Sequence, residues 1–402
     1  MTSFRDDPAW ARAQDAADPL ARFRDEFVFP SGVELYFAGH SLGLMPRRAR
    51  EYVAAELDAW GSRAVLGHHE GERPWLPYHE ELAAPLARLA GARPREVVVM
   101  NSLTVNLHLL MVSFYRPTPA RHRILIEQDA FPSDRYAVAS HAAFHGFPGA
   151  VVEVPRGHDP GRHLDGSVAL LLLGSPNFLT GEAFDLASLV QAAHERGCVA
   201  GFDLAHGMGN LVFGLHDSDA DFTVWCSYKY LNAGPGGPGG AFVHERHAGA
   251  VLPRFAGWWG HDKESRFSMP GVFLPIPGAE GWQVSNPPIF QLAALRASLE
   301  LFDQAGIAAL REKSVRLTGY LEWLLRGVAD VLTPRDPSRR GAMLGLRVPG
   351  NAAALLSALR ARGVACDARP PDVLRLSAPP LYTRFADVQR MAQLLREELR
   401  SG

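Results

Sequence analysis

Cysteine is scarce in this chain. Cys198, Cys226 and Cys366 are the three it has among 402 residues, and they lie far apart. An odd, sparse set excludes a disulfide framework and points to a reducing compartment. No two have the spacing of a zinc-binding pair, so no metal site is expected. Long apolar runs are missing too: the longest, "VALLLLG", falls far short of the ~20 residues of a membrane-spanning helix. The opening stretch, "MTSFRDDPAWARAQDAADPLARF", is charged and has no apolar core of the secretory kind. An excess of one charge is also absent. The formal net charge is −2, with basic residues scattered among acids. That leaves no basis for nucleic acid or an anionic membrane as partner. The expectation is a cytoplasmic protein.

What is present reads as an ordinary globular chain, 47% apolar and 21% charged. Its length allows a large core and two domains. "ARAQDAADPLARFRDEF" predicts a short helix. "ELYFAGHSLGLMP" predicts extended chain and a turn, with Pro46 opening the helix "RRAREYVAAELDAWG". "YHEELAAPLARLAGA" predicts a helix ending at Gly91. From "EVVVMNS" to "GGAFVHE", short strand-like runs alternate with helices. That pattern predicts an α/β fold with a largely parallel sheet covered on both faces. The last hundred residues predict two helices broken at Gly306, then a small α/β unit closed by "RFADVQRMAQLLREELR". "TPRDPSRRG" reads as a polar, flexible tip.

In parallel sheets ligands bind beyond the carboxyl ends of the strands, so polar residues at strand ends carry the functional reading. Lys229 follows the strand "DFTVWCSY" and precedes a glycine-rich loop. A surface lysine at a strand end is the ordinary reading, and an amine nucleophile is the sharper one. Asp203 ends "CVAGFD", with His206 three residues on. A buried carboxylate there needs a cationic partner. Ser102 and Thr104 open a helix directly after a strand, a phosphate cradle if they are not simply capping it. Asp134 has the same two readings. Together these fit pyridoxal phosphate, which needs a lysine for its aldehyde, an acid for its pyridinium nitrogen and donors for its phosphate.

The blocks "SLGLMP", "ERPW", "NSLTVNLHLLMVSFYRPT", "AFPSD", "GFDLAHGMGN", "WCSYKYLNAGPGG", "GWWGH", "VSNPPIF" and "APPLY" occur in that order along nearly the whole chain. With them the chain resembles the kynureninases. The resemblance implies the fold type I of pyridoxal phosphate enzymes: an N-terminal segment over 1–60 packing with the small domain, a large cofactor-binding domain over 61–290 with a mostly parallel sheet, and a small α/β domain over 291–402. It implies a homodimer with the site at the subunit interface, a kynurenine or 3-hydroxykynurenine substrate, and a place in tryptophan catabolism or NAD biosynthesis. It assigns Lys229 to the cofactor aldehyde, Asp203 and His206 to the pyridine side, and Leu103, Thr104 and Tyr228 to the phosphate. Phe131 would stack on the ring and Asp134 would meet its substituents. Trp258 and Asn286 would complete the phosphate site from the neighbouring subunit. Arg375 would pair with the substrate α-carboxylate, Lys229 and Tyr228 would move protons, and His68 (or His69), His261 and Ser285 would face the aryl group. The chain departs from the family at His40, where asparagine is frequent. Around "LLLGSPNFLTG" the match is loose, and a phosphate-region serine falls at Gly174 or Ser175.

Two rivals remain on the sequence. A cysteine desulfurase of the same fold needs a mobile catalytic cysteine, and none of the three looks placed for it. A non-catalytic relative would have lost Lys229, Asp203 or Arg375, and all three are present.

Overall fold

A computed structural model describes residues 4–401 of the chain. The first expected helix divides in two. Helix Pro8–Ala16 is capped by the Asp7 carboxylate, and a 3₁₀ turn follows at Ala21–Glu26. The break falls at Asp18-Pro19, where proline lacks the N–H that a continuous helix requires. Helix Arg47–Arg63 starts directly after Pro46. Helix Ala83–Ala90 is preceded by a 3₁₀ turn at Tyr78–Leu82 and ends at Gly91, whose φ of 59° suits a left-handed cap. Gly306 separates helices Ile289–Ala305 and Ile307–Leu324 as expected.

The central sheet has seven strands. In spatial order they are Val97–Val99, Gly239–Val243, Phe222–Cys226, Val199–Asp203, Val168–Gly174, Arg123–Glu127 and Val151–Val154. The Gly239 strand runs against both neighbours, and the pairs from Phe222 onward in this order are parallel. Apolar clusters cover both faces, one with Leu171, Phe202 and Trp225, the other with Leu170, Val224 and Leu110. Burial on both faces explains why these strands read as unbroken apolar runs.

A second, four-stranded antiparallel sheet has the order Asp330–Val331, Met343–Arg347, Val373–Ser377, Asp367–Arg369. Helices Ile307–Leu324, Ala352–Ala361 and Phe385–Ser401 share its core. The segment around residue 36 joins this unit. Leu35–Tyr36 pairs in parallel with Val364–Ala365, and the ladder continues as the Phe37 N–H donates to the Ala365 carbonyl at 2.7 Å. Leu35 and Phe37 are buried there. Their burial is worth about 3–6 kcal/mol, more than the ~1 kcal/mol of each ladder bond, so apolar packing holds the segment in place.

The stretch "TPRDPSRRG" is not a free tip. Arg340 is buried and donates to Glu322 at 2.6 Å and to the Pro334 carbonyl, while Arg339 bonds Glu182. Residues 335–339 are exposed, as the polar composition suggests, but the buried Arg340 anchors their end.

Candidate active site

The carboxyl ends of the central strands meet at one edge of the sheet. Register sets Gly174 opposite Asp203, and Glu127 closes the next strand. The chain leaving Cys226 turns back at once: the Asn232 N–H donates to the Lys229 carbonyl at 3.0 Å and the Ala233 N–H to that of Ser227 at 3.0 Å. This turn holds Lys229 above the strand ends. Its Nζ lies 5.8 Å from the ring centre of Phe131 and 5.9 Å from that of Tyr228.

The glycines of the following loop serve this packing. A Cβ on Gly239 would come within 2.8 Å of the Ser102 backbone and 2.9 Å of the Leu103 nitrogen. Glycine there lets the start of helix Leu103–Phe114 press onto the sheet. Ser102 precedes that helix without a side-chain capping bond. Asn106 does not face the opening either, since its amide donates to the Met100 carbonyl at 2.9 Å. The first N–H groups of the helix therefore have no side-chain cap, and Leu103 and Thr104 line the cleft.

Leu103, Thr104, Glu127, Phe131, Asp134, Gly174, Phe178, Asp203, His206, Tyr228 and Lys229 line a cleft of about 560 Å³, mouth included. Capping does not explain Asp134: it is buried, and its Oδ1 has no hydrogen-bond partner. Burial raises its pKa well above the usual range, reinforced by the negative charges of Asp203 and Glu127. Burial also raises Asp203, against the opposing pull of the Asp134 hydrogen bond and the Lys229 charge. The Ala205 N–H donates to Asp203 at 2.6 Å. Glu127 is pushed up to about 7, chiefly by burial, although it accepts from the Gly174 N–H at 3.1 Å. His206 is driven well below its ordinary value by burial and then by Lys229 and Arg375. Its Nδ1 is unpartnered, as is the buried Ser227 hydroxyl.

Three buried carboxyl groups thus gather at the strand ends, Asp134 and Asp203 within the influence of the Lys229 charge and Asp134 Oδ1 without a partner. Carboxyls in this state want a further cation or donor. A protonated ring nitrogen, a ring hydroxyl and a phosphate at the uncapped helix start answer those vacancies, so the residues fit pyridoxal phosphate.

Arg375 lies on the Val373–Ser377 strand, buried, and donates to the Phe178 carbonyl on the cleft wall at 2.6 Å. The remaining expected residues stand outside the cleft of a single chain. Trp258 is 40% exposed and donates to the Arg266 carbonyl. Ser285 and Asn286 are exposed. His261 is buried, with Nδ1 accepting from the Leu274 N–H and Nε2 on Ser265. His68 packs edge-on against Trp75, and His69 is exposed. Of the two loosely matched positions, Gly174 lines the cleft, whereas the Ser175 hydroxyl accepts from the Phe184 N–H.

Sequence reasoning missed Glu127, Phe178 and Asp367. For Glu127 the signal was there: it ends the strand "HRILIEQ" just as Asp203 ends "CVAGFD".

Among solved structures the chain is similar to a mutant of the cystine C–S lyase C-DES with glycine covalently linked to its PLP cofactor. The TM-score is 0.80 at 17% identity, covering 93% of this chain and 99% of that one. It is similar also to the cysteine desulfurase CsdA of Escherichia coli, with a TM-score of 0.79 at 19% identity, covering 95% and 98%. The architecture is the fold type I of pyridoxal phosphate-dependent enzymes. In sequence, residues 310–395 match the kynureninase C-terminal domain. A kynureninase of Myxococcus xanthus is 57% identical over 99% of this chain and 98% of its own length, and one of Koribacter versatilis is 52% identical over 96% of each. The chain belongs to the kynureninase family.

Proposed function

We propose that this chain hydrolyses the Cβ–Cγ bond of L-kynurenine, or of its 3-hydroxy form, to anthranilate (or 3-hydroxyanthranilate) and L-alanine, with pyridoxal phosphate as cofactor. The observation that carries the reading is the group of three buried carboxyls and one lysine at the strand ends, beside an uncapped helix start. The cofactor supplies an electron sink for the pair released at the substrate's Cα. The chain's residues do the rest. Asp203 would hold the pyridine nitrogen, Asp134 and His206 the ring substituents, and Leu103, Thr104 and Tyr228 the phosphate, with Phe131 against the ring face. Arg375 would orient the substrate by its α-carboxylate. Lys229 removes the Cα proton and returns it, as general base and acid. Water adds its hydroxyl to the ketone carbon, which leaves as the carboxyl of anthranilate, and Cβ gains a proton. Tyr228 is the donor for that proton. Burial raises its phenol pKa, so it carries its proton at neutral pH.

We infer a cytoplasmic homodimer in which Trp258 and Asn286 reach the partner's phosphate site and His68, His261 and Ser285 approach an aryl group. Exposed apolar side chains around Trp258, among them Phe255, Phe267, Met269 and Val272, support an interface there. No helix among the described residues is long and apolar enough to cross a membrane. The desulfurase rival lacks a reactive thiol. All three cysteines are buried, and burial pushes Cys198 and Cys366 up to about 12 and raises Cys226.

The test is a pair of assays. Purified protein should be yellow and release fluorescent anthranilate from L-kynurenine, with no sulfide from cysteine. Running kynurenine beside 3-hydroxykynurenine ranks the two. Sulfide without anthranilate would overturn the reading, and light scattering that finds a monomer would remove the cross-subunit roles.

A further inference from the structure

Arg375 does not stand alone. Asp367 is its direct cross-strand partner in the small sheet. The two meet side-on, with Arg375 Nε donating to Asp367 Oδ1 at 2.7 Å and Nη2 donating to Oδ2. Nη1 donates to the Phe178 carbonyl at 2.6 Å. A guanidinium has five N–H groups. Three are held, and the two that remain lie one on each terminal nitrogen, which together make the end of the fork when the Phe178 carbonyl takes the Nη1 hydrogen on the Cδ side. That end is the edge on which a second carboxylate can sit bidentately.

Asp367 is held in turn. His40 Nε2 lies 3.0 Å from its Oδ1, and Arg369 approaches Oδ2 at 3.4 Å. His40 is fully buried, and burial lowers its pKa to about 4. The imidazole is therefore neutral, and Nε2 donates its one proton to the carboxylate. Burial works to raise Asp367, but the His40 and Arg375 hydrogen bonds overcome it and hold the acid well below the usual range. Asp367 thus stays ionised and keeps both its partners. The imidazole itself is clamped in a turn closed by the Ser41 N–H on the Ala38 carbonyl at 2.8 Å, just beyond the Phe37 ladder. It stands edge-on to His206, ring centres 6.1 Å apart. The cluster's other charged neighbour is Lys229.

We propose that Asp367, steadied by His40, is a positioning residue that fixes the Arg375 fork so that its free end meets the substrate α-carboxylate. This rests on the reading above in giving Arg375 that role. Asp367 cancels much of the guanidinium charge that would attract a carboxylate. What it gives in exchange is aim: a long side chain held by three bonds has no rotamer freedom left to lose when substrate binds.

The two effects of Asp367 have opposite signs, and this makes the inference testable. The probes are L-alanine and ethylamine, which is alanine without its carboxylate, titrated into holoenzyme and read from the visible absorption of the bound cofactor. Asp367→Asn keeps the shape and removes the charge. If aim dominates, its dissociation constant for L-alanine rises roughly 10- to 100-fold while that for ethylamine stays within about threefold, and KM for kynurenine rises more than kcat falls. The unaltered ethylamine constant shows that the variant is folded and loaded. His40→Leu should weaken L-alanine by a smaller factor, and His40→Asn should restore it, because an amide N–H can replace the Nε2 donor. Unchanged or tighter L-alanine binding in Asp367→Asn overturns the inference, since charge would then outweigh aim. Equal weakening of both probes also overturns it, because the role would be structural. Anthranilate release by the unaltered chain decides the reaction separately. A chain that releases anthranilate and fails these titrations loses this inference alone.

Discussion

The carboxyl group around Lys229 and the cluster around Arg375 are neighbours, both largely buried and both charged, yet they are built on opposite terms. Glu127, Asp134 and Asp203 are buried close to one another, and the pKa of each carboxyl is raised. In the Arg375 cluster one carboxylate, Asp367, meets Arg375, Arg369 and His40, and its pKa is lowered. The first arrangement is costly while nothing else is bound, and the second is satisfied by itself. Unfavourable burial of like charges marks the place where binding free energy is to be returned. A closed network marks a scaffold. On the proposed function, the contrast would separate the groups that hold the cofactor from those that orient the substrate.

The largest expected effect attacks the centre of the first cluster. Lys229→Ala should abolish the yellow colour and cut anthranilate release by roughly 10⁴-fold, read in a fluorescence assay. A variant that keeps both would erase the distinction between the two regions. Next is Arg375→Ala. It takes from Asp367 its two-pronged partner, leaving Arg369 and His40, and should lower unfolding free energy by about 3 kcal/mol in a denaturant titration, besides raising KM.

Glu127 gives the third test, through pH. Its folded-state pKa is about 7 against an ordinary 4.5. A raised acid contributes stability that is fully present below the unfolded value and is lost as pH rises through the folded value. The cofactor-free chain should therefore lose on the order of 3 kcal/mol from this group between those limits. Glu127→Gln should flatten that slope, and an unchanged slope in thermal melts would show that the carboxyl is not strained. The smallest effect has the opposite sign from the Arg375 variant. Asp134→Asn should stabilise the cofactor-free chain by about 1 kcal/mol, because an amide is buried without the proton uptake that burial beside Asp203 forces on the acid, although cofactor binding weakens. Destabilisation would place Asp134 with the closed network instead.

Much of the first cluster was legible in sequence, because its members sit where apolar strands stop: Lys229, Asp203, Asp134 and the start of helix Leu103–Phe114. The family resemblance supplied Phe131, Tyr228 and Arg375. Glu127 carried the same strand-end signal but was passed over, because Gln128 and Asp129 after it make the polar run read as an ordinary turn. The second cluster could not be read locally. His40 and Asp367 are 327 residues apart, and no periodicity links them. The ion pair that ties down Arg340 is likewise non-local, so the stretch carrying it looked like solvent-exposed loop.

The parallel pairing of Leu35–Tyr36 with Val364–Ala365 bears on how the chain is made. On a ribosome, the earlier of those strands emerges hundreds of residues before its mate exists. Until then Leu35 and Phe37 have no groove to enter, and non-local closures of this kind come late and slowly. The corner that carries His40, Asp367 and Arg375 is thus finished when synthesis is nearly over. Nascent chains stalled before residue 364 should bind holdase chaperones through this unburied leading segment.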